Sequence, residues 1–97
     1  MPVQLRTYTI VSGALHQFAK EWQEKIRPVR ENVGFQILGA WTVEATGQFV
    51  WLLQYEGTNS WEIQDQKYFT SEERRAMDPD PARLIVRMEQ HFVEPVQ

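Results

Sequence analysis

Five side chains in this chain have types and spacing that could do chemistry. Arg6 and Tyr8 stand two residues apart in Q-L-R-T-Y-T-I, and Arg87, Glu89 and His91 alternate in L-I-V-R-M-E-Q-H-F-V. A guanidinium offers a planar fork of donors to a carbonyl or anionic oxygen, and a phenol donates one further hydrogen bond. A histidine titrates near neutrality and can move a proton, with a carboxylate as the alternative base. Held together, such groups could stabilise an enolate or phenolate oxygen during oxygenation or isomerisation. The same residues also have a plainer reading. Arg6 and Glu89 can neutralise one another across neighbouring strands, Tyr8 can pack as a core aromatic with its hydroxyl on the backbone, and His91 can sit half exposed near the end of the sequence. Either reading needs both stretches to be strands, because residues two apart share a face only there.

The surrounding pattern supplies those strands. Val3 to Val11 is rich in β-branched residues and free of Gly and Pro, which predicts the first strand. Ser12 is a candidate N-cap for a helix. Leu15, Phe18, Trp22, Ile26, Val29 and Val33 follow at spacings of three and four, a single helical stripe with Trp22 in its core. Pro28 predicts a kink or a new turn, and Gly34 a C′ stop. His16 lies off the stripe and reads as surface. Phe35 to Val43 and Phe49 to Tyr55 read as a hairpin joined through Gly47. Asn59 with Glu62, and Thr70 with Glu73, have capping-box spacing, predicting helices over residues 60–68 and 71–77. D-P-D-P ends the second, and Leu84 to Val93 makes the last strand.

The order β-α-β-β-α-β is the split βαβ arrangement of a ferredoxin-like sheet. Right-handed crossovers place both helices on one face and give the strand order 4-1-3-2. Parity on the first strand sets Val3, Leu5, Thr7, Thr9 and Val11 against Gln4, Arg6, Tyr8 and Ile10. The more apolar set is expected under the helices, so Arg6 and Tyr8 should join Arg87, Glu89 and His91 on the opposite face. That face carries enough apolar surface to call for a second copy, closing a dimeric α/β barrel with a mixed polar and apolar interior. Trp41 and Trp51 fit either face, and Trp61 suits either a pocket mouth or the core.

These segments carry a family resemblance. Q-L-R-T-Y-T, the hairpin G-F-Q-I-L-G-A-W-T-V-E-A-T-G-Q-F-V-W-L-L-Q-Y and S-E-E-R-R-A-M-D-P-D-P together resemble the NIPSNAP family of the dimeric α/β-barrel superfamily, over nearly the whole chain. Gly39-x-Trp41, Gly47 and Trp51-Leu52-Leu53-x-Tyr55 are the most specific part. The resemblance implies the dimeric barrel. It leaves the chemistry open, since the superfamily includes cofactor-independent oxygenases, haem-degrading enzymes, isomerases and proteins of unknown role. The Asn, His and Trp set of the haem-degrading members has no counterpart here: the first strand carries Thr at its centre, and neither His falls in the second helical region beside Trp61.

Composition narrows the remainder. Ninety-seven residues make one domain, small enough that a second copy would help to cover its surface. A net charge of -3 with scattered Lys and Arg leaves no footprint for nucleic acid. The chain has no cysteine, and it lacks H-E-x-x-H, a Gly-rich phosphate loop and G-x-S-x-G. Two histidines with Glu89-x-His91 supply no third metal ligand. No stretch reads as a signal peptide or membrane span. The resulting expectation is a cytoplasmic, single-domain homodimer over residues 1–97 that needs no cofactor and no metal, with no nucleic-acid or membrane partner. It binds a small apolar or aromatic ligand in the barrel through Arg6, Tyr8, Arg87, Glu89 and His91. The alternative is a cofactor-independent monooxygenase or isomerase acting on a small aromatic or polyketide-like substrate, with His91, Tyr8 or Glu89 as the catalytic group. Binding is preferred because the polar residues pair off readily and no activated nucleophile stands among them.

Overall fold

A computed structural model describes residues 1–96. Strand β1 (Val3–Ile10) leads into a long helical segment made of α1 (Leu15–Glu21), a π-helical turn (Trp22–Ile26) and α2 (Arg27–Asn32). Strands β2 (Phe35–Val43) and β3 (Gln48–Tyr55) form the hairpin. Helices α3 (Trp61–Thr70) and α4 (Glu72–Arg75), then a 3-10 turn (Pro81–Leu84), lead to β4 (Ile85–Val93). The sheet is antiparallel in the order β2-β3-β1-β4, which is the α+β ferredoxin-like topology the pattern predicts. No helix among the described residues is long and apolar enough to cross a membrane.

Local chemistry explains most element ends. Gly47 takes φ +67° in the β2-β3 connection, a region open to glycine at little cost. The two caps of the second helical region fall one residue later than the capping-box spacing suggests. Ser60 Oγ accepts from the Ile63 amide and Ser71 Oγ from the Arg74 amide, while the Asn59 side chain donates to Gln64 Oε1 instead. Serine suits an N-cap as well as Asn or Thr, so only the packing of the following turn decides between neighbours. Helix α1 begins after Ala14 with no side-chain cap, so Ser12 does not cap it.

Pro28 produces neither a break nor a separate helix. The Arg27 amide bonds the Trp22 carbonyl five residues back, so the turn before the proline widens to the π form, and Pro28 falls in the first turn of α2. This spends one extra residue and turns the next part of the stripe. Phe18, Trp22 and Ile26 remain buried, but beyond them the residue fully enclosed is Arg30, while Val29 and Val33 are only partly covered.

The core lies between the helices and one sheet face, where Tyr8, Phe18, Trp22, Phe49 and Trp51 meet ring to ring at centroid separations of 5.1–6.2 Å. Glu21 is buried beside it and accepts from Arg83 at 2.7 and 2.9 Å and from Gln17 at 2.6 Å, which ties α1 to the entry of β4. Those bonds, led by Arg83, hold its carboxyl at about 2 against an ordinary 4.5. The molecule is only 18 Å thick, one sheet plus one helix layer, and no element among the described residues covers the second sheet face.

Two outcomes follow. Trp22→Ala should cost roughly 3–5 kcal/mol in denaturant unfolding, whereas His16→Ala, whose imidazole is exposed beside Glu44, should change little. Because the Glu21 pKa falls on folding, its contribution is complete above about pH 4.5 and is lost as the pH drops toward 2. Melting temperature against pH should therefore fall less steeply across that window in Glu21→Gln than in the wild type.

Candidate functional site

Register divides the five sequence candidates between the two faces. Arg6 pairs with Trp51 and Gln90, and Tyr8 with Phe49 and Met88, a set on the helix side of the sheet, where Met88 and Gln90 on the edge strand stay exposed. Thr9, Thr7 and Leu5 pair with Arg87, Glu89 and His91, which places those three side chains on the open face. The expectation that all five converge is therefore corrected, with the reason on β1. Its less apolar set, Gln4, Arg6, Tyr8 and Ile10, is the buried one, because the polar members find partners there. The expected Arg6–Glu89 pair does not form. Glu89 instead meets Arg87 at 2.9 Å on the exposed edge.

Arg6 is 2% exposed, and its Nε donates to Gln4 Oε1 at 2.7 Å. Its Nη2 donates to Asp65 Oδ1 at 3.2 Å, and Arg30, 1% exposed, donates to the same oxygen at 2.7 Å. Two buried guanidinium groups thus share one carboxylate from α3. Burial, and then repulsion from Arg6, push the Arg30 pKa below the ordinary arginine value, with Asp65 opposing.

Aromatic faces make the burial tolerable. The Arg30 guanidinium carbon lies 3.8 Å from the Tyr68 ring centroid, 4.8 Å from Phe35, 5.3 Å from Phe69 and 5.8 Å from Trp51. Cations over rings gain most when shielded from water. Burial also raises the Tyr68 pKa, so its phenol remains a neutral donor. Gln64, one turn of α3 from Ser60, accepts from Tyr55 Oη and donates to the Val33 carbonyl, fixing α3 against β3 and the end of α2.

These side chains wall a cleft of about 60 Å³ between sheet and helices. Arg6, Arg30, Tyr8, Trp51 and Tyr68 form its depth, and Phe69, Arg74 and Met88 its mouth. Arg74 meets Asp80 at 3.1 Å. Among the described residues, Arg30 Nε, Arg74 Nε and Trp51 Nε1 are buried donors with no acceptor. No cluster of metal-ligating residues is present among the described residues.

Sequence reasoning found Arg6 and Tyr8 but missed Arg30, Asp65, Tyr68 and Arg74. Arg30 follows Ile26 by four residues and is as much in phase with the stripe as Val29. That was the available signal. Asp65 and Tyr68 lie on α3, where apolar periodicity is weak, and nothing local marks them.

The open face is the other surface of note. Rows Trp41/Val50/Thr7/Glu89 and Gly39/Leu52/Leu5/His91 cross it, with Leu38 and Trp41 about half exposed. A Cβ on Gly39 would stand 2.5 Å from Trp41 Cη2, so the indole lies flat over the glycine. That contact gives Gly39-x-Trp41 its physical meaning.

The comparisons with known proteins agree on fold. The NIPSNAP family model matches residues 3–97, and no curated protein matches significantly. A NIPSNAP domain protein from Burkholderia xenovorans is 21% identical with a TM-score of 0.85, covering 99% of this chain and 95% of that one. A NIPSNAP family protein of unknown function from Agrobacterium tumefaciens is 15% identical with a TM-score of 0.87, covering 100% and 89%. An antibiotic biosynthesis monooxygenase is 11% identical with a TM-score of 0.71, covering 100% of both chains. At such identities the structural likeness speaks for the fold alone.

Asp65→Asn should leave two buried guanidinium groups without a counter-charge and cost roughly 3–5 kcal/mol in denaturant unfolding. Arg30→Met in that background, leaving one cation, should recover part of the loss.

Proposed function

The chain belongs to the NIPSNAP family, and on that footing we propose that it is a small-molecule-binding protein whose ligand enters the cleft between helices and sheet. The observation that carries this reading is the convergence of Arg6, Arg30, Tyr8, Trp51 and Tyr68 on one cleft that reaches the surface. A protein seldom buries two guanidinium groups for stability, since an apolar pair of similar volume is often as good or better. Aromatic walls with a few convergent polar groups are the usual make-up of a site for a small ligand. The ligand is small and apolar or aromatic in body. The barrel interior is the rival location, lined by Leu5, Leu52, Trp41, Arg87, Glu89 and His91.

The open face suits a second copy. Leu38 and Trp41 are half exposed beside the partly covered Val50 and Leu52, a contiguous apolar area of the kind that marks an interface. The β-order, the bare face and the family together support a homodimer closed through this surface, with the helix-side clefts facing outward. An oxygenase or isomerase using Tyr8 is the second reading. It is favoured by the buried Tyr8 and Trp51 rings, 6.2 Å apart beside Arg6, where a phenolate or enolate oxygen would meet the guanidinium.

Static light scattering at micromolar concentration should give twice the 11.5 kDa chain mass. A concentration-independent monomer would overturn the dimer. For the cleft, a screen of small aromatic fragments by heteronuclear NMR should perturb the Trp51 indole and leave that of Trp41 in place. Hits that move Trp41 alone would place binding in the barrel instead.

A further inference from the structure

We infer that the cleft selects organic monoanions, namely carboxylates on a small apolar body, with the carboxylate held by Arg30 and Arg74 and the body lying against Phe69 and Met88. This deepens the cleft reading and rests on it.

Charge is the first argument. Arg6, Arg30 and Arg74 all line the cleft. Against them stand Asp65, whose Oδ1 serves both Arg6 and Arg30, and Asp80, which is half exposed, meets Arg74 and also accepts from the Ala82 amide. Three cations therefore stand against two carboxylates, and an entering anion meets one uncompensated positive charge in a place of low dielectric. A cationic ligand would meet repulsion, and a neutral one would gain nothing from that charge.

Donor inventory is the second. Arg30 is 1% exposed, yet its Nε has no acceptor among the described residues, and the Nε of Arg74 and Nε1 of Trp51 are in the same condition. All three residues line the one cleft, whereas the other two such donors, Trp22 Nε1 and Trp61 Nε1, belong to residues outside it. A carboxylate carries two oxygens with about four acceptor sites and suits the guanidinium fork. A phenol or amide brings one acceptor oxygen and no charge.

Size and polarity set the rest of the ligand. A cleft of about 60 Å³ admits a headgroup, far less than the 300–1,000 Å³ that encloses a drug-sized molecule. The remainder must extend through the mouth, where Phe69 is 42% and Met88 47% exposed. Those two side chains are apolar surface without cover and suit an apolar body. Asp80 holds Arg74 at the mouth in the absence of such a ligand, and the exchange of Asp80 for the incoming carboxylate keeps the Arg74 charge paired.

The test compares benzoate with benzamide, which have nearly the same shape and differ in charge, on the full chain. Binding is followed by the indole resonance of Trp51, assigned with Trp51→Phe, and by the arginine Nε–H resonances. Benzoate should shift Trp51 and Arg30 saturably, with an affinity at least tenfold above benzamide. 4-Propylbenzoate should bind several-fold tighter than benzoate. Arg74→Gln, an alteration at the mouth that leaves Arg6, Arg30 and Asp65 intact, should weaken benzoate about tenfold and leave benzamide unchanged. Should Arg74→Gln unfold, Met88→Ser serves in its place and should abolish the gain from the propyl group. Equal binding of benzoate and benzamide at Trp51 would overturn the anion inference while leaving the cleft as a ligand site. No saturable shift of Trp51 with benzoate, benzamide or the fragments would overturn both. Benzoate binding that moves only Trp41 would overturn the inference in favour of the open face.

Discussion

One oxygen atom, Oδ1 of Asp65, organises the interior of this protein. It receives Arg6 from the central strand and Arg30 from the end of the long helical segment, so a sheet strand and two separate helices are bound through a single carboxylate. Buried ions of this kind gain stability only when every partner is in place. The geometry of the helix layer must therefore agree with the sheet to within hydrogen-bond tolerance. Tyr68, one turn further along α3, stacks on Arg30 and presses the same helix down on the same charge.

The π turn belongs to this arrangement. Pro28 cannot donate to Glu24, and an uninterrupted α-helix would crowd its ring against that carbonyl. The widened turn at Trp22–Ile26 removes the conflict. It also sets the phase of α2, and Arg30 is the residue that becomes enclosed. A proline that reads as a defect in the helical pattern is thus tied to the position of the buried cation. Glu21 and Arg83 do similar work at the other end, fastening α1 to the turn that launches β4.

The two sheet faces differ in character. The helix side is closed, aromatic and positively charged in its depth, with a narrow opening beside β4. The open side is broad and mostly apolar, with an Arg87–Glu89 pair and His91 at its edge. On the proposed reading, ligand and partner copy would use different surfaces. A dimer through the open face would leave each cleft within its own protomer. The fold is shared with NIPSNAP proteins and with an antibiotic biosynthesis monooxygenase, so the topology by itself selects no chemistry.

The sequence alone determined the topology, because that depends on local and periodic features. The 3-4 spacing from Leu15 to Val33, the β-branched runs, Gly34 and Gly47 all act on near neighbours, and together they dictate β-α-β-β-α-β and the strand order. Parity within β1 was likewise legible: Arg6 and Tyr8 do share a face. Only the tertiary structure decided which face. Apolar count favoured Val3, Leu5, Thr7 and Thr9 for the helix side, but a buried guanidinium is governed by whether a carboxylate can reach it, and Asp65 lies 59 residues away on a helix with no apolar stripe. The same holds for Arg30, which is level with Val29 in the helical pattern until the π turn sets the phase. Periodicity records where apolar side chains recur, and it carries no record of where one distant charge will find another.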